Sequence, residues 1–253
     1  MAGNRKHPLR FLSRWQQSVA KRLFWKTHLA EAKAELRELA VELPTTEMML
    51  SLAYLWRGRG FYESLRLKQN MLELLGLVNA VKKLPLKRVC EIGTFRGGTL
   101  FVWCRIADPS ASVYSIDLPG GEFGGGYNER SLPLFESFCQ PGQTLTCLRG
   151  SSHDPAIRDE FARKLGDERL DFLFIDGDHS YEGVKRDFEF YSPFVAPGGA
   201  IGFHDIVHRP HQPDIEVHRF WNEIKSRYRH EEFIEQTDQR RAIGIGLIYP
   251  DKD

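Results

Sequence analysis

The sequence predicts an α/β protein: a doubly wound, seven-stranded and mostly parallel sheet with helices on both faces, preceded by an N-terminal helical arm. Three observations carry this. From Lys87 onward, short apolar runs alternate with helical stretches, the βαβ texture of a parallel sheet. Two of those runs, Leu170 to Ile175 and Ala200 to Phe203, are nearly continuous in apolar residues, as central strands covered on both faces must be. Before Lys87 the apolar residues recur at helical spacing instead.

The arm comes first. From Pro8 to Leu43, Leu9, Leu12, Val19, Leu23, Leu29, Leu36 and Leu39 recur at helical intervals. Its start is basic (Arg5, Lys6, Arg10, Arg14, Lys21, Arg22, Lys26) and carries Trp15, Phe24 and Trp25, a pattern suited to peripheral contact with an acidic membrane surface. The alternative is a helix packed on its own domain or on a partner subunit in a homo-oligomer. Thr45 or Thr46 caps a second helix over the apolar run Met48 to Leu55, and Gly58 and Gly60 break the chain. A third helix is expected from Tyr62 to Val81. Strands follow at Lys87–Ile92, Ser112–Asp117, Thr144–Arg149, Leu170–Asp176, Gly199–His204, Glu231–Gln236 and Ile243–Tyr249. The division is therefore 1–83 as a helical extension and 84–253 as the ligand-binding domain.

At 253 residues, with 42% hydrophobic and 27% charged residues, the chain suits one large core with an appendage. A net charge of +1 supplies no long-range field for nucleic acid, so a small-molecule partner is expected. The four cysteines show no C-x-x-C spacing, which points to a reducing compartment. Met1 to Arg14 lacks the apolar stretch of a signal peptide, and no apolar run is long enough to span a bilayer. A cytoplasmic protein is the expectation.

In an open α/β sheet, ligands collect beyond the carboxyl ends of the strands. Those ends hold Glu91 and Gly93, then Asp117, Ser151 to Asp154, Asp176 to His179, and His204-Asp205. Glu91-Ile92-Gly93-Thr94-Phe95-Arg96-Gly97-Gly98-Thr99 is a glycine-bearing turn into a helix, where a ligand can touch the backbone. It departs from G-x-G-x-x-G, which disfavours a pyrophosphate cradle. Asp117 follows Glu91 by 26 residues, where a carboxylate accepts both hydroxyls of a ribose. Together they imply a nucleoside without requiring phosphate. Five glycines between Pro119 and Tyr127 suit a lid.

The ordered set Val89 to Thr99, Ser115-Ile116-Asp117, Phe174-Ile175-Asp176-Gly177-Asp178-His179-Ser180-Tyr181-Glu182, Pro197-Gly198-Gly199 and Phe203-His204-Asp205 resembles class I S-adenosylmethionine-dependent methyltransferases, which share a Rossmann-like fold. The resemblance is to the branch of metal-dependent sugar and macrolide O-methyltransferases and cephalosporin-hydroxylase-like proteins, and it covers about Leu67 to Tyr249. It implies that Glu91, Gly93, Thr94 and Gly97 line the methionine side of the cofactor, that Asp117 holds its ribose, and that Ser151 and Ser152, followed by His153, border its adenine. Asp176 adjoins the cofactor as well.

Asp176, His204 and Asp205 resemble the branch's metal ligands, and His179 occupies the position of its general base. Two carboxylates favour magnesium, and an imidazole admits manganese or iron. Neighbours on a strand point to opposite faces, so His204 and Asp205 share one ion only if the strand has ended. The implied activity is transfer of a methyl group to a hydroxyl of a small molecule such as a sugar or glycosylated natural product, assisted by the metal. A metal-dependent oxygenase on the same scaffold, or a non-catalytic cofactor-binding protein, remain alternatives.

Overall fold

A computed structural model describes residue 19 and residues 23–41, 43–120, 125–235, 237 and 242–250. The basic start of the arm, with Trp15, Lys21 and Arg22, lies outside the described residues, as do Gly121 to Gly124 of the glycine-rich loop and Gln236 of the sixth expected strand.

Helix α1 (Trp25–Val41) buries Ala32, Leu36 and Ala40, spaced by four, against the main core. Thr45 caps α2 (Thr46–Leu55), its hydroxyl accepting from the Met48 amide at 3.2 Å. The expected helix over Tyr62–Val81 is shorter: a single 3-10 turn covers Gly60–Tyr62, and α3 spans Met71–Val81. Asn70 explains the late start, because its side-chain oxygen accepts from the Leu72 amide at 2.9 Å. Upstream of it, Leu65, Leu67 and Gln69 are buried while Arg66 and Lys68 are exposed, the alternation of extended chain.

The strands are β1 (Arg88–Ile92), β2 (Ser112–Asp117), β3 (Thr144–Arg149), β4 (Leu170–Ile175), β5 (Val195–His204), β6 (Arg229–Phe233) and β7 (Ile245–Tyr249). Between them lie α4 (Gly98–Ile106), α5 (Leu132–Glu136), α6 (Pro155–Leu165), α7 (Tyr181–Tyr191) and α8 (Val217–Ile224). The sheet order is β3-β2-β1-β4-β5-β7-β6. The first five strands run parallel, and β7 inserts antiparallel between β5 and β6. The chain winds outward through β2 and β3 and then returns to β4, so the crevice opens at the carboxyl ends of β1 and β4.

Side chains alternate between two cores, as the period of a strand requires. Val89, Phe172 and Phe174 face the layer of α1 to α4, where Trp103 packs edge-on to both phenylalanines. Cys90, Ile92, Leu173 and Ile175 face the layer of α6 to α8. All four cysteines are free, and no helix among the described residues is long and apolar enough to cross a membrane.

Candidate active site

The glycine turn is built by close approach. Gly93 has φ +87°, and a Cβ there would lie 2.0 Å from the Asp176 carbonyl oxygen, so β1 and β4 come together only over a bare α-carbon. Gly97 has φ +80°, and a Cβ would press on the Phe135 ring at 2.6 Å. The Thr94 and Phe95 amides donate to Oδ2 of Asp117 at 2.8 and 2.7 Å, and the Leu118 amide donates to Oδ1. Asp117 thus organises the turn from the neighbouring strand end. Burial pushes its carboxyl up against the opposing pull of these amides. A carboxylate has about four lone-pair sites, so ribose hydroxyls can still be accepted.

Glu91 is fully buried beneath the turn, accepting from the Trp103 indole at 2.9 Å and the Thr94 hydroxyl at 2.8 Å. Burial outweighs these bonds and pushes its carboxyl up to about 8, so it holds its proton at neutral pH. Thr94 also pairs with Ser115, whose hydroxyl lies 3.1 Å from that of Tyr127. Tyr127 is buried and edge-on to Phe135, which anchors the returning end of the glycine-rich loop. On the outer side of the turn, Lys68, Arg66 and Arg96 surround the Phe95 ring and leave that rim positive.

Beyond β3, the Gly150 amide donates to the Asp117 carbonyl, which sets the next turn beside the ribose-side acid. The Ser151 hydroxyl accepts from the His153 amide at 3.2 Å, and the Tyr191 hydroxyl donates to the Ser152 carbonyl at 3.0 Å.

The densest chemistry lies across β4 and β5. Asp176, His179 and Asp205 each offer a ligand atom, all within 4.8 Å of one another. His179 Nε2 is 3.4 Å from Asp176 Oδ1, and its Nδ1 is 3.4 Å from Asp205 Oδ2. Nδ1 of His204 lies 2.9 Å from Asp176 Oδ1 and 3.1 Å from Asp205 Oδ2. His204 and Asp205 converge because β5 ends at His204 and Asp205 turns into the left-handed region at φ +65°. Position 179 was expected as the base and position 204 as a ligand; the structure places both imidazoles between the same two carboxylates.

Electrostatics follow from that crowding. Burial works to lower the His204 pKa, but Asp176 and Asp205 prevail and raise it to about 10. His179 is raised in the same way against its burial. Asp176 and Asp205 are held below the usual carboxylate range by the two histidines, although burial opposes this.

Gln69 and Arg209 escaped sequence reasoning. The Gln69 amide donates to Asp176 Oδ2 at 2.6 Å from 107 residues away, and Arg209 pairs with Asp205 Oδ1. Nothing in the local sequence marks Gln69. Arg209, four residues past Asp205 in a polar loop, was at least a neighbour. His208 and His211 are exposed, and His208 stacks near His218 rather than against the carboxylates.

A sheet in this order, with β7 inverted, a glycine turn after β1 and an acid ending β2, defines the class I methyltransferase fold. Residues 90–206 match the family described as a methyltransferase domain, and this stretch has the fold of one. An uncharacterized protein, y4gI of Sinorhizobium fredii, is 28% identical over 152 residues, covering 58% of this chain and 16% of that protein. Uncharacterized protein R132 of Acanthamoeba polyphaga mimivirus is 31% identical over 161 residues, covering 62% of this chain and 66% of that protein. The chain thus spans less than two thirds of the length of the curated relatives it matches. Among solved structures, the O-methyltransferase TomG of Streptomyces achromogenes is similar with a TM-score of 0.51 at 16% identity, over 96% of this chain and 100% of that one, a likeness of fold.

Proposed function

We propose that the chain transfers the methyl group of S-adenosylmethionine to a hydroxyl of a small molecule, such as a sugar or glycosylated natural product, with help from a divalent cation. The observation that carries this is the juxtaposition of two carboxylates and two imidazoles across the ends of β4 and β5, reached from the glycine turn through the contact of Gly93 with Asp176. TomG, whose fold this chain shares, is an O-methyltransferase solved in complex with SAM, which agrees with it.

The donor set fits a hard or borderline cation: two carboxylates with imidazole, the buried His204 ring placing Nδ1 2.9 and 3.1 Å from them while its Nε2 has no hydrogen-bond partner. Asp176, Asp205 and His204 would hold it, which leaves His179 for proton transfer. Such a cation lowers the pKa of an acceptor hydroxyl. Asp117 and the glycine turn would hold and orient the cofactor, which would supply a methyl group for in-line displacement from its sulfonium, with S-adenosylhomocysteine as the leaving product. His179 would take the proton of the acceptor hydroxyl. The two carboxylates raise the His179 pKa against its burial; a cation engaging Asp176 and Asp205 would weaken that field and favour the imidazole as a base.

S-adenosylmethionine binding by calorimetry, with EDTA or with magnesium or manganese, tests this. Micromolar binding lost in Asp117→Ala but retained in Asp176→Asn and in EDTA supports a cofactor held by the turn and a metal on the acceptor side. No binding under any condition refutes the proposal. Two imidazoles beside two carboxylates are also the donor types of non-haem iron sites, so oxygen uptake dependent on iron and 2-oxoglutarate would favour an oxygenase instead.

A further inference from the structure

Asp187 is a carboxylate on the apolar stripe of α7 between Val184 and Tyr191, and it is fully buried. The groups that reach it come from the turn after β3: Nε2 of His153 lies 3.3 Å from its Oδ1, and the Ser152 side chain also interacts with it. A buried carboxylate, even one paired in this way, often stabilises no more than a well-packed apolar side chain of similar volume. Packing therefore does not account for it.

Its neighbourhood does. Asp187 and Tyr191 stand one helical turn apart on α7, and both reach the turn that follows β3: Asp187 meets the His153 ring, and the Tyr191 hydroxyl donates to the Ser152 carbonyl. That turn is closed on itself through Ser151, which accepts from His153 and from Asp154, and it is tied to Asp117 by the Gly150 amide. Tyr191 alone would leave the turn pivoting about one bond. With the His153–Asp187 contact it is held at two consecutive residues. His153 borders an open groove of about 530 Å³ together with Asp178, Ser180, Gly183 and Arg186, and the ring is held by Asp187 and by the Gly183 backbone.

We infer that Asp187 is a positioning residue for the cofactor: through His153 it locks the turn over residues 151–153, and so sets affinity for the adenosine half without touching it. The inference rests on the cofactor reading above. It accounts for a carboxyl group in the core that the transfer chemistry does not use.

The test measures binding of S-adenosylhomocysteine and, separately, of Mn²⁺ by calorimetry in the full chain, with the melting temperature recorded for each variant. Asp187→Ala and His153→Gln should each weaken S-adenosylhomocysteine roughly tenfold while Mn²⁺ affinity stays unchanged, and the double variant should cost little more than either alone, as coupled residues do. Asp187→Asn, which keeps an acceptor for the imidazole N–H, should restore most of the affinity. An unchanged S-adenosylhomocysteine affinity in Asp187→Ala overturns the inference alone. So does a loss that falls equally on Mn²⁺, which marks general loosening, or a double variant whose losses simply add. Failure of the unaltered protein to bind S-adenosylhomocysteine overturns the cofactor reading and this inference with it.

Discussion

Glu73 offers the sharpest test of how the helices ahead of the sheet support the site. It lies on α3, only 1% exposed, and its carboxylate accepts three backbone amides: Glu235 at 2.9 Å, Ile243 at 3.1 Å and Gly244 at 2.8 Å. Those amides belong to the connection between β6 and β7. The same connection carries the carbonyls of Ile243 and Gly244, which accept from Val207 and Ile206 just beyond Asp205. Glu73→Ala orphans three N–H groups at once. Each buried unsatisfied donor costs about 1–3 kcal/mol, and partial entry of water makes about 4 kcal/mol the expected total. That is a large share of the roughly 5–15 kcal/mol stability of a domain. Glu73→Gln keeps one acceptor oxygen but turns an NH2 toward an amide, for a loss of about 1.5–3 kcal/mol, the worth of a charged hydrogen bond. Urea unfolding at fixed pH reads both values from the midpoint. Mn²⁺ affinity should fall with them, because residues 206 and 207 lose their support. A Glu73→Ala protein within about 0.5 kcal/mol of the parent, the usual range for a surface change, would refute the reasoning.

Other expectations follow from the same geometry. In EDTA, the raised His204 pKa, about 10 against the ordinary imidazole value of about 6.5, contributes stability fully present below about pH 6.5 and lost as pH climbs through about 10; melting temperatures measured from pH 7 to 10.5 should decline, and the decline should shrink in His204→Asn. Divalent cation binding at pH 7 should release protons, since His204, raised to about 10 by the carboxylates the cation engages, must give up its proton to act as a ligand; a binding enthalpy independent of buffer ionisation heat would contradict this. Gly93→Ala forces a Cβ against the Asp176 carbonyl at positive φ and should abolish S-adenosylmethionine binding with a marked drop in melting temperature. Replacing Arg66 and Lys68 by glutamine removes two positive charges from the rim beside Phe95. A severalfold, salt-sensitive weakening for a cofactor with a terminal carboxylate is expected, and equal affinity at low and high salt in both proteins would count against it.

Legibility in the sequence tracked the range of the forces involved. The strands β2 and β3 were readable to the residue, since apolar runs bounded by turns encode a buried strand locally. The third helix was not, because its apolar content suits helix and extended chain alike; the choice was made by the Asn70 cap and by the docking of Leu65 and Leu67 into the core. At the site, Gly93, Asp117, Asp176, His204 and Asp205 were recognisable as residues at successive strand ends. Gln69 was not, since its partner is 107 residues away. Asp187 did leave a mark, a carboxylate on an apolar helical stripe, whose meaning appears only once β3 delivers His153 against it.

What the sequence by itself determined is the order of strands and helices and the chemical types gathered at the strand ends, because periodicity, caps and glycine turns act within a few residues. The tertiary structure alone decided how those groups share space. It put two imidazoles between two carboxylates, bent Asp205 out of the strand so that it meets His204, and buried Glu91 and Asp187 where burial rather than composition sets their protonation. Those outcomes depend on distances of a few ångströms between segments far apart in the chain, and on the dielectric that surrounding side chains create.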